Sequence, residues 1–168
     1  MQDDRRYHPA DFRTRLRWSE LDPDYLRQII SLAKIEDFAG AGLAHRPARL
    51  GDITTALMPE DAQGNARLVA REPLILCGLG LIPLILAAYG GSVLFETNFK
   101  DGDPIAVGES IGTFTGSAIS LLQAERVILN FIQHLSGIAS ETRKYVDELD
   151  SDRTALLDTR KTDRKSVV

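Results

Sequence analysis

The chain has 168 residues, 43% of them hydrophobic and 26% charged, which is enough for one well-cored soluble domain or for one domain and part of another. A net charge of -4 argues against nonspecific nucleic-acid binding, which needs an excess of Lys and Arg to neutralise phosphates. A lone cysteine, Cys77, excludes an internal disulfide and fits a reducing, cytoplasmic setting.

Residues 1–20 are polar and arginine-rich and read as a flexible or loosely docked arm. Asp22-Pro23-Asp24 is a helix start signal, an acidic cap with proline at the first helical position. Tyr25, Leu26, Ile29, Ile30, Ala33 and Phe38 follow at helical spacing, which predicts a helix over 23–40. Gly40, Gly42 and Pro47 end that pattern. Gly51-Asp52-Ile53-Thr54-Thr55 reads as a turn entering a short extended segment, with Asp and Thr oxygens placed to accept nearby backbone N–H groups.

Ala66 to Leu76 alternates and predicts a strand, whose Arg71-Glu72 pair is best read as a solvated face. Leu79 to Tyr89 is compatible with a helix, Pro83 being tolerated in a first turn. Gly78, Gly80 and Pro83 interrupt the apolar run Leu74 to Tyr89, which is shorter than the ~20 residues a membrane span needs. The first 18 residues lack the apolar core of a signal peptide, so no membrane partner is expected. Cys77 lies in this apolar run and reads as a small hydrophobe rather than a nucleophile.

Ser92 to Phe99 alternates, Lys100 to Pro104 supplies a tight turn, and Ile105 to Val107 is predicted to return as a hairpin partner. Glu109 to Thr115 is a further short strand, so this part of the chain reads as a small antiparallel sheet. DGDPIAVGESIGTFTG is similar to half of a biotinyl- or lipoyl-carrier domain, with Lys100 beside the turn, but the Met-Lys-Met or Asp-Lys-Ala tip of those carriers is missing.

From Ser117 to about Asp150 the pattern is helical. Leu121, Ala124, Ile128, Phe131, Leu135, Ile138, Tyr145 and Leu149 form one stripe, which predicts a long amphipathic helix or two in tandem, with a kink or break at Ser136-Gly137. Arg126, Asn130 and His134 fall four apart on a face away from that stripe. A solvated helix surface has the same spacing as a ligand-binding one. Leu156 to Thr162, LLDTRKT, reads as a short strand with Arg160 and Lys161 on opposite faces.

The block Glu125-Arg126, Leu129-Asn130-Phe131, Leu135-Ser136-Gly137-Ile138-Ala139, followed by Asp158-Thr159-Arg160-Lys161-Thr162, resembles quinolinate phosphoribosyltransferase, the carboxylating nicotinate-nucleotide pyrophosphorylase of NAD biosynthesis. The GDITT string at Gly51 to Thr55 has its counterpart in the same family. The resemblance implies an α+β fold for residues 21–150, a small antiparallel sheet with flanking helices that serves as the N-terminal substrate and dimerisation domain. It implies that 151–162 is the first strand of a β/α barrel.

It also implies a reaction: quinolinate is joined to phosphoribosyl pyrophosphate, pyrophosphate is expelled, and carbon dioxide is lost to give nicotinate mononucleotide. Both substrates are strongly anionic. By the resemblance, Arg126 and Arg160 grip quinolinate, Lys161 adds charge near the ring, and Arg126 reaches a neighbouring subunit's site, which implies a homodimer or higher homo-oligomer. Arginine's planar fork suits a flat dicarboxylate as lysine's point charge does not. Mg²⁺ would serve the complete enzyme, with its ligands lying beyond the matching region.

The resemblance covers about Ile35 to Thr162 and then stops. The family continues Thr-Pro-Gly-Leu-Arg, whereas this chain reads Asp163-Arg164-Lys165-Ser166-Val167-Val168. A full barrel needs ~250 residues. DRKSVV is also what a common sequencing-adapter read-through encodes, so 163–168 is expected to be a non-native tail and the chain an inactive fragment. The alternatives are a related phosphoribosyltransferase of the same architecture, such as the molybdenum-transport-associated relative, or a non-catalytic dimerisation or binding module.

Overall fold

The computed structural model describes residues 17–45, 52, 55–149 and 156. Helix α1 runs Pro23–Ala39 and begins as its sequence predicts. The Asp22 side chain accepts from the Asp24 N–H at 2.9 Å, Pro23 occupies the first turn, and Gly40 closes the helix in the left-handed region at φ 58°. Ahead of it, Trp18–Glu20 forms a 3-10 turn that lays the Trp18 indole over Gly80, where a Cβ would sit 2.6 Å from the ring.

Two sheets follow, both antiparallel. In the larger, β1 (Gln63–Val69) and β3 (Val93–Glu96) flank a central β5 (Ser110–Ser117), with Ala66 opposite Phe114 and Phe95 opposite Phe114 on the other side. The smaller pairs β2 (Leu74–Ile75) with β4 (Pro104–Ile105). Gly116 of β5 has φ 143°, and a Cβ there would meet the Ser92 carbonyl oxygen at 2.1 Å, so only glycine fits this strand crossing.

Two strand expectations are thereby corrected. The single strand over 66–76 is two strands in two sheets. Pro73 has no N–H for a ladder, and Ala70 instead exchanges hydrogen bonds with Gly108 and Glu109 before the chain turns away. The predicted hairpin between 92–99 and 105–107 does not form. The Lys100–Pro104 turn closes onto β2, with Gly102 N–H donating to Leu76 O at 2.7 Å and Leu76 N–H to Asp103 O at 2.9 Å, which carries β4 to β2 and leaves β3 to β5.

Helix α2 (Leu81–Ala88) is apolar throughout and buries Leu81, Ile82, Ile85 and Leu86, with Ile82 and Ile85 fully enclosed between α1 and α3. Helix α3 (Ala118–Leu149) is a single 32-residue element without a break at Ser136-Gly137. Its buried row is Ala124, Val127, Ile128, Ile132 and Ser136, with Leu121, Phe131 and Leu135 partly covered beside it.

Ser136 accounts for the unbroken helix. Its Oγ accepts from Cys77 N–H at 3.0 Å and donates to Cys77 O at 3.3 Å, while Ser140 Oγ accepts from Ile75 N–H at 2.8 Å and donates to Ser136 O. The two hydroxyls thus satisfy backbone groups at and just beyond β2 that would otherwise be covered unpaired. Burial, and then the nearby Asp101 carboxylate, push the half-buried Cys77 thiol up from its ordinary range, as suits an unreactive sulfur. Among the described residues no helix is long and apolar enough to cross a membrane.

Candidate functional site

The Leu122 to Gln133 part of α3 faces the C-terminal end of α1 and the segment around Asp52 and Thr55. The concavity between them is about 650 Å³ and is lined by Asp37 and Phe38, Asp52 and Thr55, and by Leu122, Gln123, Glu125, Arg126, Leu129, Asn130 and Gln133 of α3.

Asp52 and Thr55 of the GDITT string line one wall of it. Asp52 Oδ1 accepts from the Thr55 N–H at 3.1 Å and begins a 3-10 turn over Thr55–Leu57, so the extended segment expected after the turn is a helical one. Thr55 is buried, and its Oγ1 accepts from Gln123 Nε2 at 3.0 Å, which fastens this wall to α3.

Arg126 is the cation of the concavity. Its Nη1 donates to Asp37 Oδ1 at 2.5 Å, a contact between residues 89 apart in sequence. The pair is lopsided, because the Arg126 side chain is 73% exposed and that of Asp37 only 15%. Behind Asp37 stands Tyr89, whose hydroxyl is buried with no hydrogen-bond partner among the described residues. Its phenol is pushed up to about 12, first by burial and then by the Asp37 carboxylate, with the Arg126 guanidinium opposing.

Asn130 lines the same concavity as Arg126, whereas His134, next along that face, is exposed outside it. The shared face inferred from spacing therefore divides into two residues at the site and one beyond it. Arg160 and Lys161 lie outside the described residues. Asp37 and Gln123 carry no signal in the sequence, and Thr55 only that of its turn, since each is linked to the site through a partner at least 68 positions away.

The lining carries three carboxylates, of Asp37, Asp52 and Glu125, against one guanidinium. At separations of a few ångströms such a wall does not by itself favour a dianion, so one strongly bound here needs cations from another wall. Nor do these carboxylates suit a divalent ion: Asp37 is committed to Arg126, Asp52 caps a turn, and no group of three or more His, Cys, Asp or Glu among the described residues could hold one.

Residues 52–136 match the family model for the N-terminal domain of quinolinate phosphoribosyl transferase. The chain is 37% identical over 142 residues to a mitochondrial, decarboxylating quinolinate phosphoribosyltransferase, 2b, of Nicotiana tabacum, spanning 83% of this chain and 37% of that one. It is 38% identical over 112 residues to a probable carboxylating nicotinate-nucleotide pyrophosphorylase of Bacillus subtilis, spanning 67% and 39%.

The crystal structure of NadC from Streptococcus pyogenes superimposes with a TM-score of 0.76 at 36% identity, over 86% of this chain and 48% of that one. The chain thus spans well under half the length of these curated relatives and about half of that solved chain. The model match over half of its residues, and the agreement of fold and sequence along the same stretch, mean that this chain belongs to the quinolinate phosphoribosyl transferase family, of which it carries the N-terminal domain.

Proposed function

We propose that the chain is the N-terminal part of a phosphoribosyltransferase that makes nicotinate mononucleotide, carbon dioxide and pyrophosphate from quinolinate and phosphoribosyl pyrophosphate. The observation that carries this reading is Arg126. Within the family-matched region it stands in the wall of the concavity with most of its side chain exposed.

A planar guanidinium takes a carboxylate by two parallel bonds, the geometry a pyridine dicarboxylate needs to be held flat. The acidic lining supports the view that this wall is half of a site. Arg160 and Lys161, and a neighbouring subunit in a homodimer, are the proposed sources of the remaining positive charge. Mg²⁺ belongs to the complete enzyme in this reading, and the described residues do not fit it. A cytoplasmic location is part of the same proposal.

Titrating the chain with quinolinate, followed by the amide shifts of α3, tests the reading. Wild-type chain is expected to show shifts centred on Leu122 to Gln133, and Arg126→Ala to lose at least tenfold in affinity. Equal affinity in the two would overturn it. With both substrates and Mg²⁺ the 168-residue chain alone is expected to turn over little or nothing.

A further inference from the structure

The C-terminal turn of α1 is fixed from several directions. Lys34 Nζ donates to the Ala88 carbonyl at 2.6 Å and lies 4.7 Å from the centre of the Tyr89 ring. The Phe38 and Tyr89 rings pack with centroids 5.6 Å apart. Gly40 N–H donates to the Glu36 carbonyl at 3.1 Å and Ala41 N–H to the Ile35 carbonyl at 3.4 Å.

Asp37 projects from this fixed turn, between Lys34 and Phe38, and is largely covered. Arg126 is a long, exposed side chain on another helix. A covered acid on a fixed turn and a free-standing arginine are unequal partners: the acid's position is set by packing, and the arginine's is set by the acid. Only Nη1 of Arg126 is used in this bond, and among the described residues Nε and Nη2 bond nothing.

We propose that Asp37 is the positioning residue of Arg126: by holding Nη1 against the fixed end of α1, it keeps the Nε and Nη2 edge of the guanidinium ready to take a ligand carboxylate in two parallel bonds. The inference rests on the reading of Arg126 as the carboxylate grip and deepens it. It also makes an unusual prediction of sign. On charge alone, removing an acid from an anion site should tighten binding of the anion. If Asp37 positions the arginine, its removal loosens binding instead, because the guanidinium must then be ordered by the ligand itself.

The test follows the Arg126 Nε–Hε signal of the ¹⁵N-labelled 168-residue chain in wild type, Asp37→Ala, Asp37→Asn and Asp37→Glu, free and titrated with pyridine-2,3-dicarboxylate. Wild-type Arg126 is expected to be ordered on the nanosecond scale and to become mobile in Asp37→Ala. The dissociation constant should rise about tenfold, and Asp37→Glu should restore part of both effects. Asp37→Asn keeps the side-chain shape and is read in the same way should the alanine variant fail to fold.

Equal Arg126 mobility in wild type and the alanine or asparagine variant would overturn the inference, as would tighter dicarboxylate binding in either. Loss of order in the variant with no response of Arg126 to the dicarboxylate in any form would sink the carboxylate-grip reading while leaving the positioning role of Asp37 standing.

Discussion

The first 23 residues of α3, up to Ser140, and its last nine, Glu141 to Leu149, belong to one helix with one continuous amphipathic pattern, yet they live in different surroundings. The first part buries Ala124, Val127, Ile128, Ile132 and Ser136 against α2, β2 and the larger sheet. Every residue of the last part is exposed, Tyr145, Val146 and Leu149 included.

The last turns carry the solvent-exposed Arg143–Asp147 and Lys144–Glu141 pairs, at 3.2 and 3.0 Å, which water screens and which add little. An apolar stripe therefore states that a helix face suits a partner, but packing alone decides whether this chain supplies it.

The comparison breaks most readily in the packed part. Ile132→Ala is expected to destabilise the chain by about 2–5 kcal/mol in urea melts, since a fully enclosed aliphatic side chain leaves a cavity. Ser136→Ala should cost about 1–3 kcal/mol, because it strands the Cys77 N–H and C=O under the helix.

In the native chain Cys77 should alkylate slowly at pH 8. Its raised pKa means that the stability it contributes is intact below the ordinary thiol range and falls as pH rises through the higher folded value. Iodoacetamide labelling followed by mass spectrometry, with and without urea, measures this.

Gly137→Ala should stabilise by about 0.5–1 kcal/mol, since an added Cβ meets nothing within 4 Å and helix propensity improves. At the exposed end, Tyr145→Ala should change the stability of the isolated chain by no more than about 0.5 kcal/mol. A larger loss in a dilute, monomeric sample would mean that these turns are packed after all.

Several elements were legible because their signals are local. Asp22-Pro23 and Gly40 bound α1 by cap chemistry that a few neighbouring residues decide. The long helical pattern after Ser117 marks α3 nearly to the residue, and the family blocks around Arg126 and Asn130 lie where the concavity forms. Other readings failed where a distant partner competed. Ser136-Gly137 looks like a weak point in a helix, yet Ser136 is buried where the Cys77 backbone, just beyond β2, takes up its hydroxyl. Ile138 continues the stripe in sequence and is half exposed, while Val127 and Ile132, off that stripe, are core.

What the amino-acid order determined by itself was where helices begin and stop, that the strands are short and antiparallel, and which family the chain resembles, all of which depend on interactions within a few positions or on motif identity. Only the tertiary structure decided that β4 joins β2 rather than β3, that Thr55 fastens to Gln123, and that Asp37 meets Arg126. Such pairings bring together groups far apart in the chain. Their choice depends on how much burial and how many satisfied backbone bonds each competing arrangement yields, a sum over the whole fold that no local pattern contains.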